Sequence, residues 1–327
     1  MKHKYYLFVI LLVVARISLM SQSVGIDKVG TTSFQFLKVM PDARSTGMGE
    51  AYVTLADNAN AVFWNPAELI KVNNLDFSFS FVDWLLDVKH YSFAGAYNVE
   101  GIGVFGLQIL FDDVGEIPVT RVSDLYRTDD GSYNPGLTGE TMRPGSRVFG
   151  LSYAKSLTDK FSFGITIKYA YEDLVAEQAS TIVFDGGLSY QTGFRSIEIA
   201  AALRQFGPEV KFIDTPYPLP QTFTIGISAN IFAPDEALIS QIENQKLIIA
   251  YNLSQPRDYS QQHLIGLEYT YNDLISFRAG YKINFDEEDF TFGAGINYNG
   301  YRVDYSYNNF GEFLGDVHRF SIGLSIN

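Results

Sequence analysis

Cysteine is missing from this sequence altogether. Its absence excludes disulfides, Cys-based zinc sites, thiol catalysis and an N-terminal lipoprotein anchor in one step. Positive charge is scarce, with 24 Lys and Arg against 37 Asp and Glu and a formal net charge of −13. That balance argues against a nucleic-acid groove, which depends on clustered cations. Histidine occurs four times. His3 falls in a leader-like segment, and His90, His263 and His318 are dispersed, so no metal-ligand spacing is present. His318 and Ser321 are three residues apart, and strand alternation puts the two on opposite faces. The acidic run 286–289 reads as a solvated loop tip. No enzyme activity, cofactor or metal centre is expected. Charged residues make up only 19%, where a soluble domain usually carries about a quarter.

Long apolar runs are lacking too, apart from one at the start. Lys2, His3 and Lys4 precede an apolar run over 5–15, and Ser21 and Ser23 stand at signal-peptidase spacing, which predicts a signal peptide over 1–23. The run is too short for a membrane helix of about twenty residues, and Arg16 interrupts it. Nothing later approaches that length. A membrane location for the mature chain therefore requires a closed barrel, because only helices and closed barrels satisfy every backbone group in lipid.

What is abundant is aromatic and alternating. There are 26 Phe and 21 Tyr, with 28 Gly. From residue 76 onward apolar and polar residues alternate with period two. In one run Phe161, Phe163, Ile165, Ile167, Tyr169 and Tyr171 interleave with Ser162, Gly164, Thr166, Lys168 and Ala170. In another, Phe223, Ile225, Ile227 and Ile231 face away from Thr222, Thr224, Gly226 and Ser228. Each run has one apolar face and one polar or small face. A soluble sandwich alternates as well, but its strands run about 5–6 residues, whereas a membrane strand needs roughly 9–11. The runs here have the membrane length. Fourteen candidate strands result, near 76–83, 90–98, 101–111, 146–156, 160–171, 181–191, 194–205, 221–231, 246–253, 262–271, 274–284, 289–298, 300–308 and 317–326. Their connections alternate between tight and long, as periplasmic turns and extracellular loops do. Asn299-Gly300 is a favoured hairpin turn. The long segments include 112–145, 172–180 and 206–220. The stretch 232–245 is long on the tight-turn side and suggests a short helix. Gly101, Gly103 and Gly106 suggest a bulge in the wall. The fold class expected is all-β: a 14-stranded antiparallel transmembrane β-barrel over 76–327, preceded by a short, partly helical N-terminal lumenal plug over 24–75.

The 24–75 segment does not alternate. Asp57 is placed to cap a helix over 58–63, which Asn65-Pro66 ends. Arg44, if buried, requires a carboxylate or polar partners. The pieces Phe36-Leu37-Lys38, Pro41-Asp42-Ala43-Arg44, Gly47-Met48-Gly49, Ala56-Asp57 and Trp64-Asn65-Pro66-Ala67 resemble the N-terminal signature of the PorV/PorQ family, within the FadL-like group of outer-membrane barrels. The resemblance is closer to PorV, and it continues through Asp83-Trp84, the 113–120 run, and 302–305 with 318–321.

That resemblance implies an integral protein of the bacterial outer membrane with periplasmic termini, surrounded by outer-membrane lipid. It implies a role in type IX secretion, with cargo bearing C-terminal signal domains and attachment-complex subunits as partners. The wider group implies the alternative, transport of hydrophobic small molecules through a lateral opening. Site residues on either reading are the plug or pore positions Arg44, Gly47, Gly49, Asp57, Trp64, Asn65, Pro66 and Ala67. In the long loop, Tyr126, Tyr133, Pro135 and Pro144 are candidate partner contacts, since a loop beyond about fifteen residues is usually functional or disordered.

Overall fold

The computed structural model describes residues 30–127 and 129–326, so the expected signal peptide lies outside the described residues. The described residues form a wall of fourteen antiparallel strands. These are β1 (Leu75–Asp83), β2 (Lys89–Val99), β3 (Gly103–Asp113), β4 (Gly145–Ser156) and β5 (Phe161–Asp173). Next come β6 (Gln178–Gln191), β7 (Glu198–Phe206), β8 (Thr222–Ala233), β9 (Gln245–Pro256) and β10 (Gln262–Tyr271). The wall ends with β11 (Ile275–Ile283), β12 (Phe290–Tyr298), β13 (Tyr301–Asn309) and β14 (Asp316–Ile326). Each strand pairs with its sequence neighbours, and β14 closes the ring against β1, from Leu75↔Ile326 to Asp83↔His318. Closure leaves no edge strand, the condition for a sheet to lie in lipid.

The alternation decides which face is which. In β1, Asp76, Ser78 and Ser80 are buried while Phe77 and Phe79 are exposed. In β5, Thr166 and Lys168 are buried while Ile165, Ile167 and Tyr169 are exposed. The apolar face thus points out and the polar face in, the reverse of a water-soluble barrel and the arrangement a hydrocarbon surround demands. Among the described residues no helix is long and apolar enough to cross a membrane.

The connections depart from expectation in three places. Strands β5 and β6 extend to Asp173 and Gln178, so the long loop expected over 172–180 is a tight turn. The 232–245 stretch holds no helix. Leu238 and Ile239 donate backbone N–H groups to the carbonyls of Asn230 and Ile231 at 2.7 and 3.0 Å, so its polar backbone is satisfied by the end of β8 rather than by a helical turn. Within 112–145 lies a β-hairpin, Ile117–Arg127 against Tyr133–Met142, rather than a disordered loop. Asn299-Gly300 makes the expected turn, with φ of 50° and 84°.

The lumen is filled by the segment before β1. It enters at the long-loop end, where the Ser33 N–H donates to the Pro218 carbonyl. It leaves at the tight-turn end, where Leu75 opens β1 beside Tyr97 and Ile326. On the way it forms a 3-10 turn (Gln35–Lys38), α1 (Ala43–Gly47), α2 (Ala61–Trp64) and a second 3-10 turn (Pro66–Lys71). Its apolar side chains, among them Met48, Tyr52, Val62, Trp64 and Leu69, pack on Ala94, Ala96, Val104 and Ala154 of the wall.

Candidate functional site

The plug is held by backbone approach and by buried charge. Gly49 sits with φ +61° against β11, and a Cβ added to Gly280 would lie 2.0 Å from the Gly49 nitrogen. On the opposite wall, Asn65-Pro66-Ala67 docks on the paired Gly164 and Gly187. A Cβ on Gly164 would fall 2.3 Å from the Pro66 carbonyl carbon. Gly106, expected to mark a bulge, instead admits Val62 and Leu69 of the plug, and the β2–β3 register runs unbroken from Lys89↔Asp113 to Val99↔Gly103. Asn65 fixes its own turn: its side-chain oxygen accepts from the Ala67 N–H at 3.1 Å, and its amide donates to the Val53 carbonyl at 3.0 Å.

Arg44 finds the partner its burial requires. Its Nε and Nη2 donate to the two oxygens of Glu268, both at 2.8 Å, and its Nη1 donates to Asp57 at 2.6 Å. Glu268 also receives Arg278 Nε at 2.6 Å, and Arg278 reaches Asp304 at 2.6 Å. Asp57 therefore does not cap a helix over 58–63. The helix starts at Ala61, after an Asn60 N-cap with no side-chain bond. Burial pushes the Asp57 carboxyl up, and the Arg44 guanidinium more than reverses this, holding it below the usual range. Asp42, part of the Pro41–Arg44 motif but not among the expected site residues, ties the plug together by accepting from Ser45 N at 2.9 Å and Trp64 Nε1 at 2.7 Å. Trp64 in turn lies beneath the Arg204 guanidinium, 5.0 Å from its ring centroid.

At the tight-turn end Lys71 Nζ lies 2.7 Å from Glu68 and 2.9 Å from Glu198. One cation thus serves two carboxylates. Burial pushes Glu68 up from 4.5 to about 8, with Lys71 opposing and Glu198 adding to the rise. A group whose docked value is raised holds its proton in the docked form and gives it up more readily in water. Docking is therefore firmest at acid pH and weakens as pH climbs from about 4.5 through about 8. Protection from hydrogen exchange across 60–71, taken relative to the intrinsic base-catalysed rate, is expected to fall between pH 5 and 9. Glu68→Gln is expected to flatten that fall, and an unchanged profile in the variant would refute the assignment.

Two cavities flank the plug. The tight-turn side holds one of about 300 Å³, lined by Arg44, Asp57, Glu268, Arg278 and Arg302. The loop side holds one of about 580 Å³. Phe36, Met40, Trp84, Leu264, Phe285 and Phe310 give it apolar walls, while Arg204, Lys282, His90 and Asp112 supply its charge and polarity. Lys282 is neutralised by Glu50 and Glu288, each at 2.7 Å. Glu288, expected on a solvated tip, is thereby drawn into the lumen and buried. Arg204 has no carboxylate within 4.0 Å among the described residues; its Nη1 contacts the Met40 sulfur at 3.0 Å and the Phe63 carbonyl at 3.4 Å.

Beside this cavity the pairing of two wall strands ends before the strands do, although their backbones stay adjacent: a Cβ on Gly145 would lie 3.2 Å from the Asp112 carbonyl oxygen. The β3–β4 ladder stops at Phe111↔Arg147, although β3 continues to Asp113 against β2 and β4 begins at Gly145 against β5. Outside this seam lies a groove of about 860 Å³ that includes Ile109, Phe111, Phe149 and Tyr169. Asp112 lines both the groove and the lumenal cavity.

Comparison with solved structures places this architecture. The Ralstonia pickettii toluene transporter TbuX aligns with a TM-score of 0.59 at 15% identity, over 89% of this chain and 100% of that one. A Pseudomonas aeruginosa FadL homologue aligns at 0.52 and 10% identity, over 88% and 98%. The Pseudomonas putida toluene transporter TodX gives 0.51 and 13%, over 85% and 95%. The chain shares the fold of these FadL-type outer-membrane barrels. No protein-family model matches the sequence, and no curated protein matches it.

Within the FadL-type fold the sequence-derived positions separate into three places. Arg44 and Asp57 line the tight-turn cavity, whereas Gly47, Gly49, Trp64, Asn65, Pro66 and Ala67 dock the plug and do not line the loop-side cavity. Tyr126, Tyr133 and Pro135 stand on the projecting hairpin, with both tyrosines exposed, and Pro144 lies at its base in the outer groove. The cavity residues His90, Asp112, Arg204 and Lys282 were not distinguished by sequence. The usable signal was alternation, which turns their side chains inward.

Proposed function

We propose that this chain is an outer-membrane channel for small hydrophobic molecules, which enter the loop-side cavity and leave through the β3–β4 seam. The observation that carries the reading is that the loop-side cavity, with aromatic and aliphatic side chains in part of its wall, and the outer groove share Asp112 in their linings, directly where the ladder ends. A route through the wall delivers an apolar solute to the hydrocarbon layer without crossing the charged tight-turn cavity. The plug then need not move. In this orientation the outward apolar belt faces outer-membrane lipid and the C-terminal strand ends on the periplasmic side, while residues 31–38 lie near the outer face.

The type IX reading, with signal-domain cargo and attachment-complex subunits as partners, draws on the N-terminal signature. Of those residues, Gly47, Gly49 and Asn65-Pro66-Ala67 meet wall glycines and Arg44 pairs with Glu268, so the signature supports the plug more than a partner. The test is toluene entry into proteoliposomes containing the purified barrel. Entry several-fold faster than into empty liposomes is expected; equal rates would remove the reading.

A further inference from the structure

At the loop-side end of the lumen, strands β11 to β14 bring four buried side chains into one hydrogen-bonded line. Lys282 lies near the end of β11 and Asn308 near the end of β13, one on each side of β12. Glu288, two residues before β12, reaches both. Its Oε2 accepts from Lys282 Nζ at 2.7 Å and its Oε1 accepts from Asn308 Nδ2 at 2.8 Å. On the other side of the amide, Arg319 Nη1 of β14 donates to Asn308 Oδ1 at 2.7 Å. Glu288 is 6% exposed, Lys282 and Arg319 1%, and Asn308 is fully buried.

The neighbours fix which way the amide faces. Arg319 offers only donors, so the atom that meets it is the oxygen. Glu288 and the Thr46 carbonyl offer only acceptors, so the atom that meets them is the nitrogen. The amine of Lys282 and the amide of Asn308 are therefore held on the two oxygens of one carboxylate, and a guanidinium polarises the carbonyl. These are the parts of an acyl transfer: a nucleophile, a proton carrier, an electrophile and a donor for the oxyanion. Lys282 has a second carboxylate partner in Glu50, at 2.7 Å, so Glu288 can carry a proton while an anion stays beside the amine. An ion pair alone accounts for Lys282 between Glu50 and Glu288. It does not account for Glu288 turning its other oxygen to an amide that Arg319 polarises.

We propose that Lys282 and Asn308 are joined by an isopeptide bond, which the folded barrel forms by itself. Glu288 takes a proton from the Lys282 ammonium, and the freed Nζ lone pair attacks Asn308 Cγ. As the C–N bond forms, the carbonyl electrons move onto Oδ1, where Arg319 holds the charge. The Cγ–Nδ2 bond then breaks while Glu288 returns its proton to Nδ2. Ammonia leaves into the loop-side cavity, which Lys282 and Glu288 both line. A second proton from Nζ departs with it as ammonium, so no oxidant, reductant or cofactor is consumed. The product ties β11 to β13 across β12, next to Thr46 and Glu50 of the plug. It is independent of what passes through the lumen.

Tryptic peptide mapping before and after refolding tests it. Chain recovered unfolded from inclusion bodies is expected to be cleaved after Lys282. The folded barrel, denatured and digested, is expected to resist cleavage there. It should yield a branched peptide joining 279–302 to 303–319, lighter than the two together by one ammonia. Glu288→Gln, shown to be folded by heat-modifiable migration on gels, is expected to form the link about a hundredfold more slowly, the contribution of a positioned proton carrier. Lys282→Arg is expected to form none. A folded wild-type barrel that is still cleaved after Lys282 and gives no branched peptide would overturn the proposal. A link formed at the wild-type rate in folded Glu288→Gln would overturn it too.

Discussion

Gly280→Leu and Gly164→Leu will each dislodge the plug, and the barrel will conduct ions where the wild type is closed. A Cβ at Gly280 would meet the Gly49 nitrogen at 2.0 Å, and one at Gly164 would meet the Pro66 carbonyl carbon at 2.3 Å. Both obstacles are backbone, so no flexible side chain can yield. Overpacking a core ordinarily costs about 1–3 kcal/mol, and a clash with main chain on one face of a lumenal segment is relieved only by moving that segment. Gly186 provides the control. It neighbours Gly187 but a Cβ there meets nothing within 4 Å, so Gly186→Leu should leave conductance at the wild-type level. Planar-bilayer recordings decide the matter, and closed channels in both lumenal variants would show that the glycines do not seat the plug.

The other large effect concerns Glu268. This carboxylate is 3% exposed and serves both Arg44 of the plug and Arg278 of the wall. Glu268→Ala leaves two buried guanidinium groups short of an anion, and breaking a buried pair from one side costs about 3–5 kcal/mol. Asp57 and Asp304 retain one contact to each arginine, which places the loss at the lower end of that range. Urea unfolding of the refolded barrel in bilayers will show a lower midpoint for Glu268→Ala. Adding Arg44→Met should recover part of the loss, because the second change removes one uncompensated charge. Strict additivity of the two changes would deny that the residues act as a pair.

How much of this was legible follows from where the information sits. Strand number and facing are local properties, written as alternation, so Phe77 and Phe79 against Ser78 and Ser80 disclose the wall. Turn chemistry is local too, as at Asn299-Gly300. Plug docking is not local. Gly47-Met48-Gly49 stands out as a motif, but the glycines that receive it, Gly280 and Gly293, look like ordinary small residues until the segment lies against them. Asp57 reads as a helix cap because a cap needs only its neighbours, while its actual partner, Arg44, is brought to it by the folding of the plug. The same holds for His90 and Asp112. Each is an isolated polar residue in its strand, and only the β2–β3 register sets them side by side. The 232–245 segment failed for a related reason, since its spacing suits a short helix but its N–H groups find the end of β8.

The central claim is that hydrophobic molecules occupy the loop-side cavity, and the chain's two tryptophans make that directly readable. Trp84 lines the cavity, whereas Trp64 is buried in the plug and does not line it. The measurement is quenching of tryptophan fluorescence by bromobenzene, titrated against the folded barrel and against Trp84→Phe. Saturable quenching in the wild type that disappears in Trp84→Phe is the result expected. Quenching that never saturates, or that persists unchanged in Trp84→Phe, would contradict a hydrophobic binding site in this lumen.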